Sequence, residues 1–199
     1  MEVNIFGEGA VGYKNIVKSS SSQDFFLYKK YKNYAVCTVA DGHSMDVFKY
    51  SHIGSYLACQ SVFEILKTYK LNEDIEKGEQ NFICDLKNKK VQNDIKNKWR
   101  DLVYREFYKR NYKVYKLDYM LFGTTLSFVI FLKEYIVFFN LGDSSILIKE
   151  DKDYVNVFKN NNFKFVNSLA LYNCEEKMQY SILKMNKDFK LVISTDGFI

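Results

Sequence analysis

Proline is absent from the whole chain of 199 residues, which excludes a proline-rich linker; with 17 Phe and 16 Tyr spread along the chain, no low-complexity tail is visible either. Histidine occurs only as His43 and His52, and the four cysteines (Cys37, Cys59, Cys84 and Cys174) never form a C-x-x-C pair. That combination argues against a structural zinc site. Long apolar runs are also missing. The longest, Tyr119–Leu132, is too short to span a bilayer and contains Gly123-Thr124-Thr125, so it reads as a buried strand. The N-terminal MEVNIFGEGA has no basic stretch followed by an apolar one and is not a secretory signal. Free thiols without an export signal lead to the expectation of a reducing, cytoplasmic compartment. There is no internal repeat.

What is present is globular in character. Hydrophobic residues make up 47% and charged residues 27% of the chain, enough for one sizeable core, so a single domain over residues 1–199 is expected. The net charge of +5 comes from scattered lysines, with a local cluster at Lys87–Lys90. Such a cluster reads as a solvated helix face rather than a nucleic-acid surface.

Two stretches share one design. Ala35–Gly42 (AVCTVADG) is an apolar, β-branched run that ends on Asp41-Gly42 and continues into His43 and Ser44. Lys190–Ile199 (KLVISTDGFI) is a second such run, ending on Asp196-Gly197. Two buried strands that each release an Asp-Gly suggest carboxylates converging on one hard cation site. Gly42 lets the backbone turn and bring its own carbonyl to whatever Asp41 binds. Asp-Gly is also a common turn pair, so either stretch alone reads as an ordinary strand exit.

Around these, Ser19–Asp24 is a polar loop, and Phe25–Asp41 predicts a hairpin turning near Tyr31–Asn33. Asp24 then opens one strand and Asp41 closes the next, and antiparallel pairing would bring both carboxylates to one end of a sheet. Apolar residues recur every three to four positions over Val47–Lys70 (Leu57/Ala58, Val62, Ile65/Leu66, Tyr69) and Val91–Asn111 (Val91, Ile95, Trp99, Leu102/Val103, Phe107), predicting two helices with core-facing stripes. The charged stretch Asn72–Asn81, with Gly78, reads as a loop. Leu121–Leu132 and Tyr135–Asp143 predict a hairpin around Lys133-Glu134, and Ser144–Phe158 another, turning at Glu150–Asp153. Met178–Met185 and Phe189–Thr195 are the last strands. Residues 2–17 read as short strands around Gly7, Gly9 and Gly12, and residues 159–177 as irregular. Segregated runs of strands, helices and strands imply an α+β fold with antiparallel sheets whose outer face the helices cover.

Seven segments in order resemble the successive motifs of the metal-dependent Ser/Thr protein phosphatases, the PPM or type 2C family, and its compact bacterial branch in particular. They are GYKNIVKSSSSQD (Gly12–Asp24), VADGHS (Val39–Ser44), YSHIGSYLA (Tyr50–Ala58), FGTTLSFVI (Phe122–Ile130), FNLGDSSIL (Phe139–Leu147), NSLAL (Asn167–Leu171) and LVISTDG (Leu191–Gly197). The resemblance runs from Gly12 to Ile199. It implies two antiparallel β-sheets packed as a sandwich with helices on the outer faces, a four-layer αββα arrangement. It also implies two Mn²⁺ or Mg²⁺ ions at one end of the sandwich, and a phosphorylated protein as substrate rather than a nucleic acid or a membrane. By motif position Asp41 would bridge the metals, the Gly42 carbonyl would bind one of them, Asp196 the other, and Asp24 would act directly or through a water. Oxygen-only ligands suit such hard ions. His43 would protonate the leaving serine or threonine oxygen or serve as a hydrogen-bonding neighbour of the site. Lys18, the cation nearest the first motif, would touch substrate phosphate. His52 reads as helix surface, Asp143 as a turn residue, and Asp118 as a carboxylate for a third metal.

The chain departs from the family pattern in three places. Ser44-Met45 follows His43 where the family has glycine, Ser22-Gln23-Asp24 replaces Asn-Glu-Asp or Asn-Gln-Asp, and the sequence ends just past Asp196-Gly197. The family continues there with a helix, a final metal-binding aspartate and a closing strand. The expectation is therefore a C-terminally incomplete sandwich, either a piece of a longer protein or a shortened relative. Three functions compete: a metal-dependent phosphoprotein phosphatase, a catalytically impaired pseudophosphatase acting as a binding or regulatory module, and a basic nucleic-acid-binding domain. The core-like spacing of the aromatics disfavours the last. Nothing in the sequence sets an oligomeric state.

Overall fold

The computed structural model describes residues 3–10, 22–110, 116–150, 152–158, 166–185 and 190–196. Strands β1 (Phe25–Lys30) and β2 (Ala35–Ala40) form the predicted hairpin, and the Tyr31 N–H donates to the Tyr34 carbonyl at 2.8 Å across its turn. Next to β2 lie β3 (Leu126–Phe131), β4 (Tyr135–Leu141) and β7 (Gln179–Lys184), completing a five-stranded sheet of order β1-β2-β3-β4-β7. Every pairing is antiparallel. A second antiparallel sheet has the order β6-β5-β8, from β5 (Ser145–Glu150), β6 (Asp153–Asn156) and β8 (Leu191–Ser194).

Strands β2 and β3 are buried along their whole length, because both faces of the larger sheet are covered. Alternate residues therefore feed two different cores. Val36, Ala40, Phe128, Ile130, Val137 and Phe139 face the helices. Ala35, Cys37, Val129, Phe131, Ile136 and Phe138 face the smaller sheet, where Ile146 and Phe158 are buried with them and Leu191 and Ile193 pack alongside.

Among the described residues three α-helices occur where the pattern predicts two: α1 (Ser51–Thr68), α2 (Ile75–Lys87) and α3 (Lys90–Lys109). Helix α1 lies on β1, β2 and β3, α3 packs on α1, and α2 on α3. The apolar stripes of α1 and α3 are core, as their spacing predicts, with Val91, Ile95, Trp99, Val103 and Phe107 buried. Helix α2 corrects the loop expected over residues 72–81. Asp74 caps it by accepting from the Lys77 N–H at 3.2 Å, and Phe82 and Leu86 are buried beneath it. Gly78 marks close packing rather than a break, since a Cβ there would stand 2.6 Å from the Tyr69 carbonyl oxygen.

Two further expectations give way. Residues 3–10 form no strand. Tyr119–Phe122 is a 3-10 turn instead of the start of β3, because the Asp118 carboxylate accepts from the Met120 N–H at 2.9 Å and turns the chain there. Among the described residues no helix is long and apolar enough to cross a membrane.

Candidate metal centre

The β1–β2 register pairs Phe25 with Ala40, so the residues one step beyond, Asp24 and Asp41, face each other at the sheet end, as the sequence predicts. Their carboxyls are close enough to interact. Strand β8 runs antiparallel to β5 and releases Asp196 at the same end, while the turn between β4 and β5 carries Asp143. Burial pushes the Asp41 carboxyl up to about 9, and the neighbouring Asp24 carboxyl and the charges of Asp196 and Asp143 push the same way. Asp143 is raised as well, first by burial and further by the Asp196 charge, against a lowering contribution from its own backbone N–H. Its Oδ1 is buried without a hydrogen-bond partner among the described residues. Asp143 thus sits in the predicted turn and also joins the acidic end. Its signal in the sequence was the same as that of Asp41 and Asp196, a strand exit beside a glycine, here Gly142.

The backbone of Asp41 is held from both sides by the Gly-Thr-Thr segment. The Asp41 N–H donates to Thr125 Oγ1, and the Asp41 carbonyl accepts from the Thr125 N–H and from Thr124 Oγ1, each at 2.9 Å. The next residue, Gly42, donates its N–H to the Gln23 carbonyl at 3.1 Å. A Cβ on Gly42 would meet that carbonyl oxygen at 2.7 Å and the Ser51 carbonyl at 2.9 Å, so only glycine fits against these backbone atoms. Gln23 ties the loops together: its Nε2 donates to the His43 carbonyl at 3.1 Å and to Ser51 Oγ at 2.9 Å, and its carbonyl accepts from Ser55 Oγ at 2.6 Å. Gln23 and Ser55, which sequence reasoning passed over, are therefore what carries β1 and α1 to the site.

His43 stands beside this end, its ring edge-on to Phe48 at 4.7 Å and its backbone N–H donating to the Gly123 carbonyl at 3.1 Å. Burial lowers its pKa and favours the neutral imidazole. His52 lies on the exposed face of α1, as expected, lowered by burial and by Arg110. Asp118 acts as the cap of the turn at Tyr119–Phe122. Lys18 and Gly197 lie outside the described residues.

The donor set, carboxylates and a backbone carbonyl, contains only hard oxygens, and one buried carboxylate oxygen lacks a partner. A buried acidic group crowded by like charges is relieved by a positive counter-charge, so these residues fit a divalent cation such as Mg²⁺ or Mn²⁺. No group of three or more His, Cys, Asp or Glu among the described residues already stands at ligating spacing.

Two packed antiparallel sheets, a helical layer and an acidic end define an α+β sandwich of the phosphatase type. The chain belongs to the protein phosphatase 2C family, whose family model matches residues 11–199. No curated protein matches the chain in sequence. Among solved structures it is similar in fold to a bacterial serine phosphatase at 13% identity and a TM-score of 0.58, covering 89% of this chain and 73% of that one. An S. agalactiae serine/threonine phosphatase is similar at 18% identity and a TM-score of 0.54, with 89% and 74% covered. The catalytic domain of the serine/threonine protein phosphatase PstP, in complex with two manganese ions, is similar at 12% identity and a TM-score of 0.52, with 89% and 72% covered.

Proposed function

We propose that this chain is a metal-dependent phosphoprotein phosphatase that hydrolyses phosphoserine and phosphothreonine. The observation that carries the reading is the meeting of Asp24 and Asp41 at the sheet end, with Asp196 near enough to raise the Asp41 carboxyl further. The two manganese ions of the PstP catalytic domain, a fold relative, support a two-metal reading. Asp41, the Gly42 carbonyl, Asp196 and Asp24 are the groups that would hold two Mn²⁺ or Mg²⁺ ions. Ions bound there supply a water of lowered pKa and positive charge against the phosphoryl oxygens.

The chain's own residues then have separate tasks. The threonine clamp fixes the Asp41 backbone, so its carboxylate reaches the site without searching rotations of the main chain. His43 is assigned the proton delivered to the leaving serine or threonine oxygen. Burial favours its neutral ring, and the anionic phosphate of a bound substrate beside it favours the imidazolium form. Lys18 is assigned to the substrate phosphate as a point charge.

The test is hydrolysis of a phosphothreonine peptide with and without Mn²⁺, with Asp41→Asn in parallel. Mn²⁺-dependent turnover that is lost in Asp41→Asn is expected. A folded chain that binds Mn²⁺ without turnover would instead make it a catalytically impaired phosphatase fold used as a binding or regulatory module. Turnover that survives Asp41→Asn would remove this site from the reaction.

A further inference from the structure

We propose that Ser168 is a positioning residue for the metal centre, holding Asp41 in place through Thr124. The proposal rests on the metal-centre reading above. Ser168 is only 3% exposed and lies 44 residues from Thr124 in sequence, on the segment between β6 and β7. Its hydroxyl is fully engaged with backbone. Oγ accepts from the Thr124 N–H at 3.1 Å and from the Ala170 N–H at 3.3 Å, and it donates to the Thr124 carbonyl at 3.2 Å. The Leu169 N–H donates to that same carbonyl at 2.9 Å.

These bonds matter because the strand ladders stop short of Thr124. Strand β2 ends at Ala40 and β3 begins at Leu126, and Thr124 pairs with Gly42 only as an isolated bridge. What sets the position of Thr124 is therefore Ser168 and Leu169 on one side and Asp41 on the other, where Thr124 Oγ1 donates to the Asp41 carbonyl at 2.9 Å. One residue, Thr124, separates the buried serine hydroxyl from a candidate ligand.

The segment that carries Ser168 is itself anchored. Leu169 and Ala170 are buried, Arg100 Nη2 on α3 donates to the Leu171 carbonyl at 3.4 Å, and Lys96 on α3 pairs with Glu175 at 2.8 Å with both side chains largely shielded. Helix α3 thus fixes the serine, the serine fixes Thr124, and Thr124 fixes the Asp41 carbonyl. Groups that orient a ligand in this way control metal affinity without touching the metal.

The experiment compares Ser168→Ala, Ser168→Cys and Ser61→Ala in the full chain. Ser61 is a fully buried serine further along α1 whose hydroxyl donates to the Ala58 carbonyl at 2.7 Å, so its loss controls for the removal of any buried hydroxyl. Mn²⁺ affinity is read from the free-ion EPR signal, and amide hydrogen exchange of Asp41 and Thr125 is read in metal-free protein. Ser168→Ala is expected to weaken Mn²⁺ binding about 10–100-fold and to speed exchange at both amides. Ser168→Cys, a weaker hydrogen-bonding group of similar size, is expected to fall between and keeps the test alive if the alanine variant does not fold. Ser61→Ala is expected to leave both readouts at wild type. Wild-type affinity and exchange in the Ser168 variants, or an equal change in Ser61→Ala, would overturn the proposal while the metal centre stands. A wild-type chain that binds no Mn²⁺ would overturn the metal-centre reading and the assignment of Ser168 with it.

Discussion

Asp41 and Thr125 exchange hydrogen bonds at the end of β2: the Asp41 N–H donates to Thr125 Oγ1 and the Thr125 N–H donates to the Asp41 carbonyl, both at 2.9 Å. Thr125 is almost fully buried, so its hydroxyl is a built acceptor for a backbone donor that water does not reach. Thr125→Val keeps the shape and removes the acceptor, leaving the Asp41 N–H unsatisfied at a cost of about 1–3 kcal/mol. Thr125→Ser keeps the acceptor and gives up a methyl. Urea unfolding and Mn²⁺ titration of both variants are expected to separate the two roles: the valine variant loses stability and metal affinity together, whereas the serine variant loses only packing. Equal metal affinity in the two would show that the hydroxyl does not govern the pose of Asp41.

That relationship also shows where sequence legibility ends. The hairpin, its turn and the approach of Asp24 to Asp41 were readable, because an apolar run bounded by a polar turn sets the register and the register sets the neighbours. Helix α2 was not, since its start is dense in charge and Gly78 signals a loop as readily as a close contact with Tyr69. Asp143 looked like any Gly-Asp turn, because exposure to Asp41 and Asp196 depends on how the two sheets stack. The clamp by Thr124, Thr125, Gln23 and Ser168 consists of side-chain bonds to distant backbone, which leave no periodic trace in a chain read one residue at a time.

Gly54 is where helix propensity and packing conflict. It lies inside α1, where alanine would normally add about 1 kcal/mol of stability. A Cβ at Gly54 would stand 1.9 Å from the Phe122 carbonyl oxygen, a backbone atom in the turn before the Gly-Thr-Thr segment. The turn is already held to the helix start by the Tyr50 N–H, which donates to the Leu121 carbonyl at 2.7 Å. Overpacking of this kind costs on the order of 1–3 kcal/mol, and more against backbone that cannot give way. Gly54→Ala is therefore expected to destabilise the chain in urea unfolding. A stabilised variant would mean that the turn moves freely relative to α1.

Trp99 is the one tryptophan in the chain and is fully buried between α1 and α3, its Nε1–H donating to the Gly54 carbonyl at 3.0 Å. Its emission therefore reports on the helix–sheet core alone. Folded protein is expected to emit to the blue of denatured protein, and the fluorescence and far-ultraviolet circular dichroism transitions in urea are expected to coincide if the two cores unfold together. Two separated midpoints would mean that the sheet-to-sheet core around Phe138 and Ile146 opens independently of the helical layer.

Glu79 on α2 faces the turn between β3 and β4, its Oε1 accepting from the Glu134 N–H at 3.1 Å. Burial raises its pKa above the ordinary value of 4.5, and the Glu134 charge adds to that, against the lowering effect of backbone N–H groups of Lys133, Glu134 and Tyr135. Lys133 is engaged by Glu76 at 3.2 Å, and among the described residues Glu79 has no cation paired to it. Between 4.5 and the raised folded value, the folded chain retains a proton on Glu79 that the unfolded chain has released. Stability from this group is thus fully present below the ordinary value and falls as pH rises through the folded one. Glu79→Gln keeps an acceptor for the turn and removes the titration. The variant is expected to gain stability relative to wild type on going from acidic to neutral pH, read as the difference in urea midpoints at the two pH values. A difference that does not change with pH would mean that Glu79 is as readily ionised in the folded chain as in the unfolded one.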